Sequence, residues 1–390
     1  MKLLLLMTRR ALPFCLAFLL IPPPGDCNSA RAAHPLYEEE LARAGNLLLA
    51  MRLGQADSLI DGWIERNPDR PAGYFFRAGG CSWRIFLQPE GSDSDALKDS
   101  FENAVRNCRR TAEKVRSRKE TRFEGTLYLG AICGQEALLA MIEKRYLVMA
   151  PLAKRAWNTI EQALDIDPEY YDSYLGRGIY QYFTDVLPEM IKILALAYGF
   201  EGDREAGLEN IRLAAERGLY SRDASKIMLL NLYSVIETPD SSVREMARIL
   251  HEKYPDNPLT HWRYGDILLR LKEYQPAAEI FEQVAERIEN DYPFYRNKMF
   301  SRYSMAFRIG YCESKTGKSA RALERFNSIL ADSEVIPEWI LPATYLEKGK
   351  IYLWRGEKEQ AKHSLEAVLD YDDYHGSREQ AEQLLKMLER

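Results

Sequence analysis

Four stretches of this chain repeat the same residue types at the same offsets, and that periodicity restricts the fold more than any other feature. Gly265, Ala277, Phe281 and Val284 recur as Gly310, Ala322, Phe326 and Ile329, and again as Gly349, Ala361, Leu365 and Val368. Near the start, Ala44, Ala56, Ile60 and Trp63 keep the spacing and Pro68 follows them; Ala156, Ile160, Ala163 and Pro168 repeat its second half. The spacing predicts helix–turn–helix hairpins. A small residue in the first helix lets the second approach, alanine fills the crossing, and the residues four and seven positions later continue one buried stripe. Proline then marks the passage to the next hairpin, because it can open a turn but cannot continue a helix.

The pattern resembles the tetratricopeptide repeat family, whose period is about 34 residues. The resemblance is strongest over 258–291, 303–336 and 342–375, good over 37–70 and degenerate in between. His261, Ala306 and Tyr345 stand where the family often has a tryptophan early in its first helix. The resemblance implies an all-α, right-handed superhelical solenoid of about eight hairpins spanning 33–390. A single rounded core rarely grows to 390 residues, so an elongated array also suits the length. Residues 377–390 predict a capping helix. Ser377 and Gln380 make a capping box, and Ala381, Leu384, Leu385 and Leu388 share one face opposite Glu382, Gln383, Lys386 and Glu389.

The first 32 residues read as an address for export. Lys2, Arg9 and Arg10 precede the apolar run Ala11–Ile21, Pro22, Pro23 and Pro24 break it, and Ser29 to Ala33 offer a small-residue cleavage site. The run falls short of the roughly 20 apolar residues of a comfortable bilayer crossing, which favours a cleaved signal over an anchor. Cys27 raises the option of lipidation, against which Asp26 stands where a small residue is normal. Cleavage would move the formal net charge from −5 to −8. That acidic balance argues against a nucleic-acid partner, whose phosphates need a basic face. The basic run Arg106–Lys119 reads as a solvated helix face. Export to the periplasm or beyond would place Cys81, Cys108, Cys133 and Cys312 where disulfides are permitted, and one bridge among the first three is the expectation. No close Cys/Cys or Cys/His spacing suggests a metal.

Between Tyr174 and Gly218 the repeat carries an insertion whose middle, Val186–Phe200, is mostly apolar, with Glu189 and Lys192 its only charges. Leu187-Pro188, Ile191 to Ala197, and Phe200 followed by Gly202-Asp203-Arg204 resemble a eukaryotic tetratricopeptide family linked to clearance of inclusion bodies. As structure, the insertion is an extra helix tucked against the repeats with Pro188 in its first turn. As function, it is an apolar lever for a partner or a membrane surface. It lacks the basic face usual for membrane-surface helices, which favours packing.

No Walker-type loop, H-E-x-x-H or G-x-S-x-G occurs. Gly176-Arg177-Gly178 lies in a helix-period segment without a third glycine, and Asp370, Asp372 and Asp373 lack the glycine and distal glutamate of a calcium loop. A non-enzymatic adaptor without cofactor or metal is therefore expected. It would bind a protein or peptide along the inner surface formed by the first helix of each unit. In the tetratricopeptide family the residues flanking the packing glycine face that groove, which points here to Trp262, Arg263, Asp266, Phe307, Arg308, Tyr311, Leu346 and Lys350. Packing of Trp262 and Phe307 between repeats is the competing expectation. A membrane-bound envelope assembly factor acting through 186–200 and a cell-wall hydrolase are the rival functions.

Overall fold

A computed structural model describes residues 36, 38–88, 93–187, 192, 199–295, 301–332, 336–374 and 376–388. The export segment lies outside them, as do residues 188–191 and 193–198 of the insertion. Among the described residues there are seventeen α-helices and no strand. They form eight hairpins and a final helix, and the chain divides into two compact units after Thr260. The first unit holds α1 (Glu39–Leu49) with α2 (Leu53–Arg66), α3 (Pro71–Leu87) with α4 (Asp95–Arg116), and α5 (Arg122–Ile142) with α6 (Tyr146–Ile166). It continues with α7 (Ser173–Asp185) and α8 (Arg204–Arg217), then α9 (Arg222–Val235) and α10 (Ser241–Lys253). The division falls inside α11 (Pro258–Arg270). Beyond it lie α12 (Tyr274–Glu289), α13 (Arg302–Lys315) with α14 (Ser319–Ala331), α15 (Ile340–Trp354) with α16 (Lys358–Val368), and α17 (Ser377–Leu388).

The repeat frame read from the sequence is the packing frame. Ala277, Phe281, Val284, Ala322, Phe326, Ala361, Leu365 and Val368 have no exposed surface, and Ile329 is almost fully buried. A methyl group on Gly265 would stand 2.6 Å from the Phe281 ring, one on Gly310 2.7 Å from Phe326, and one on Gly349 2.7 Å from Leu365. Only a bare Cα leaves room for the plug that the second helix inserts. Ala44, Ala56, Ile60 and Trp63 bury the same way in the first unit.

The turns inside the hairpins repeat too. Met51, Lys272, Gly317 and Gly356 each follow the small first-helix residue by seven positions and take a left-handed backbone, with φ of 61°, 64°, 78° and 74°. The next amide donates back five residues in every case: Arg52 to Leu47 (2.8 Å), Glu273 to Leu268, Lys318 to Glu313 and Glu357 to Tyr352 (2.9 Å each). This is the Schellman closure, which satisfies carbonyls that a helix end would otherwise leave open.

In the first unit, α5 is long and apolar enough to cross a membrane, but most of it is buried by its neighbours. Cys81, Cys108, Cys133 and Cys312 are all buried and free, which corrects the expected bridge. Each thiol fills space within a helix packing face, and burial raises its pKa. The capping box at the tail does not form either. Ser377 lies within α17 with its hydroxyl unbonded, and the Gln380 side chain instead accepts from Lys350 Nζ (3.1 Å). The apolar face of that helix is as expected: Ala381 is fully buried, and Leu384, Leu385 and Leu388 pack on Leu346, Leu365 and Val368. At the C-terminal end of the insertion, Phe200 stacks on Tyr180, which stacks on Trp157 at 4.3 Å.

Candidate functional site

The first helices of the second unit, α11, α13 and α15, carry all eight residues that the sequence singles out. Their positions sort by offset from the packing glycine. At about 100° per residue, a side chain three positions before glycine stands about 60° from it, on the same side of the helix. One two positions before stands about 160° away. Trp262, Phe307 and Leu346 occupy the first column, and the structure packs them: Trp262 and Leu346 are buried, and Phe307 is half-buried against Phe326 and Trp339. Trp262 and Leu346 belong to the seams between helices, so their assignment to an open groove is corrected, while Phe307 packs on one side and keeps part of its ring exposed.

Arg263, Arg308 and Glu347 form the second column, and they anchor a line of charge. Arg263 Nη1 donates to Asp266 Oδ2 at 2.9 Å, and Arg308 Nε donates to Asp266 Oδ1 at 2.9 Å. One buried carboxylate thus joins α11 to α13. Arg263 is itself almost fully buried, and burial lowers its pKa against the raising effect of Asp266. The two guanidiniums lie 4.2 and 5.1 Å from the Trp262 ring centre, and Arg308 also lies near Phe281 and Trp339. Weakly hydrated, flat guanidinium groups suit such aromatic surroundings, where an ammonium would lose more hydration. Further along, Lys315 (3.4 Å) and Lys350 (2.7 Å) both approach Glu347, joining α13 to α15, and Lys350 reaches on to Gln380 of α17. Glu313 turns the other way and holds Arg325 of α14 through two bonds of 3.2 Å.

Arg263, Asp266, Trp262 and Leu346 therefore present almost no surface. What remains accessible is one edge: Phe307, Tyr311, Lys315, Lys350 and the rim of Arg308, whose side chain is 16% exposed. Tyr311 sits beneath Lys315 Nζ, 4.7 Å from its ring centre, and packs by its edge on Tyr274; burial pushes its phenol up to about 12. Lys315, Glu347 and Tyr274 were not marked by the sequence reading. Their signal was available, since Glu347 occupies the same offset as Arg263 and Arg308. No group of three or more His, Cys, Asp or Glu with metal-binding geometry occurs among the described residues.

No family model and no curated protein matches this chain. Among solved structures, the human IFIT1 dimer with m7Gppp-AAAA is 14% identical at a TM-score of 0.44, over 97% of this chain and 86% of that one. The P58(IPK) TPR domain is 12% identical at 0.25, over 90% of this chain and 98% of that one. Yeast Tom70 is 11% identical at 0.29, over 90% and 89%. Such scores lie too low to carry an argument. The tetratricopeptide-like, all-helical character of the fold rests on the glycine-and-plug hairpins and their common turn.

Proposed function

We propose that the chain is an exported, non-enzymatic scaffold that holds a protein or peptide partner along the first-helix edge of residues 261–390. The observation that carries this reading is the accessible row of Phe307, Arg308, Tyr311, Lys315 and Lys350. Aromatic rings and cations there are already fixed by ion pairs and ring contacts. Side chains held before binding lose little conformational freedom on contact, and tyrosine and arginine are the residue types that most often dominate interface energies. The reading of export rests on the basic, apolar and small-residue succession of the first 32 residues.

The test replaces Tyr311 and Lys350 together by alanine. Crosslinking in the native cell should recover a defined set of proteins with the parent chain. The double variant should recover them at least about tenfold less, the equivalent of about 1.4 kcal/mol of lost affinity, while its far-ultraviolet circular dichroism stays unchanged. Equal recovery by the two would remove the edge from the account.

A further inference from the structure

In the first unit, the turn from α5 into α6 leads to an apolar projection. At the start of α6, Leu147 is 93% exposed and Val148 43%, and Pro151 is exposed as well. At about 100° per residue, Pro151 stands about 40° from Leu147 and Val148 about 100°, so the three share one side of the helix. Arg155, Asn158 and Gln162, all exposed, continue that side at about 80°, 20° and 60° from Leu147. The solvent stripe of α6 is thus polar along its length and apolar only in its first turns. Single exposed apolar residues need no explanation, whereas neighbouring ones on a solvent face mark a contact surface.

The charge around this projection is of one sign. From Lys144 to Ile160 the chain holds Lys144, Arg145, Lys154 and Arg155 and no Asp or Glu, although its formal net charge is −5. Lys144 and Arg155 are exposed and hold no ion pair among the described residues. Arg145 shares Glu143 with Lys98, at 2.8 and 3.0 Å, which leaves two cations on one acid. Lys154 donates to the Gly199 carbonyl and lies 5.4 Å from the Phe200 ring centre, so no acid neutralises it there. The neighbouring α4 brings Asp95 and Asp99 beside Lys98, and the cations stay in excess. No acid stands in the first turn of α6 and no side chain caps it, so the positive pole of that helix adds to the same field.

Apolar side chains ringed by lysine and arginine match the boundary of a bilayer that contains anionic lipid. The former enter the acyl layer and the latter meet the phosphates. A side chain as exposed as Leu147 is a projection without walls of its own, which a fluid acyl layer accepts without a matching pocket. The basic surround that the 186–200 insertion lacks is present here. We infer that the α5–α6 tip docks on an anionic lipid surface, with Leu147 and Val148 entering it and Lys144, Arg145 and Arg155 against its phosphates.

The chain purified from its native cell is mixed with vesicles of phosphatidylcholine alone, or of phosphatidylcholine and phosphatidylglycerol in equal parts, and the bound fraction is read by sedimentation. Binding should be at least about tenfold tighter to the anionic vesicles, and should weaken in 1 M salt, where the screening length is about 3 Å. Leu147→Glu should lower the affinity for anionic vesicles at least about tenfold, and so should Lys144→Glu combined with Arg145→Glu. Leu147→Phe should keep it. All of these positions are exposed, so the melting temperature should not change, and a loss of binding is then not a loss of folding. The inference is overturned if neither kind of vesicle binds, if neutral vesicles bind as well as anionic ones, or if Leu147→Glu binds like the parent. It is overturned too if that variant keeps its vesicles and loses crosslinked proteins, which would make the tip a protein-docking surface.

Discussion

The hairpins α7–α8 and α13–α14 meet one steric demand in two ways. In α13–α14 the glycine faces a ring: the nearest atoms to a methyl on Gly310 all belong to Phe326. In α7–α8 glycine faces backbone as well as a side chain, Ile211, whose Cγ1 would stand 2.7 Å from a methyl on Gly178. A methyl on Gly178 would meet the Gly207 carbonyl oxygen at 2.6 Å, and one on Gly207 would meet the Tyr182 amide nitrogen, also at 2.6 Å. A side-chain plug leaves a record in the sequence, a large residue at a fixed distance from its glycine. Backbone contact adds a second glycine, Gly207, where the regular repeats have alanine, beside the smaller plug Ile211. The repeats that look degenerate are thus held as closely as the regular ones, by a contact that chooses fewer residue types.

The contrast can be broken or sharpened by substitution. Phe326→Ala removes the plug itself and should cost about 3–5 kcal/mol, the usual range for a fully buried ring, read from the midpoint of urea unfolding. A loss under about 1 kcal/mol would mean that the ring is not what closes α13–α14. Next come the two glycines. Gly178→Ala drives a methyl into a peptide group that cannot step aside, and should cost about 2–3 kcal/mol. Gly310→Ala meets a ring that can tilt, and the better helix propensity of alanine offsets about 1 kcal/mol. Its net cost should fall near or below about 1 kcal/mol. Equal losses at the two sites would erase the distinction. The smallest effect belongs to the turns. Lys272 adopts at φ 64° the conformation that Gly317 adopts at 78°. Lys272→Gly should therefore stabilise by about 0.5–1 kcal/mol, the relief of left-handed strain less the added chain entropy. A lowered melting temperature would show that the lysine turn is not strained.

How much could be read beforehand follows from the same physics. The offsets from Gly265, Gly310 and Gly349 expose the hairpins because each contact is a one-to-one fit of side chains. The apolar face of α17 was legible because a helix end needs an alternation that no other role requires. The candidate edge was legible only in outline. Trp262 and Leu346 were assigned to it, and both pack, because a shift of one residue turns a side chain through about 100°. Periodicity alone does not tell which side of that turn a neighbouring helix will cover. Nor does it tell that Asp266 will lie between two arginines, or that Gln380 will serve Lys350 in place of a cap. Those outcomes depend on residues that are 3 to 42 positions apart and share no spacing.

The charges that link α11, α13 and α15 make the order of these hairpins a matter of chemistry. Asp266 meets Arg308, and at the following junction Lys315 meets Glu347. Arg308 and Glu347 hold the same place in their respective repeats, with opposite sign. Excising residues 303–341 in frame would thus set Asp266 against Glu347, acid on acid. Each module carries a lock for its successor, so the segment cannot be shortened, shuffled or lengthened by copying one unit without a mismatch.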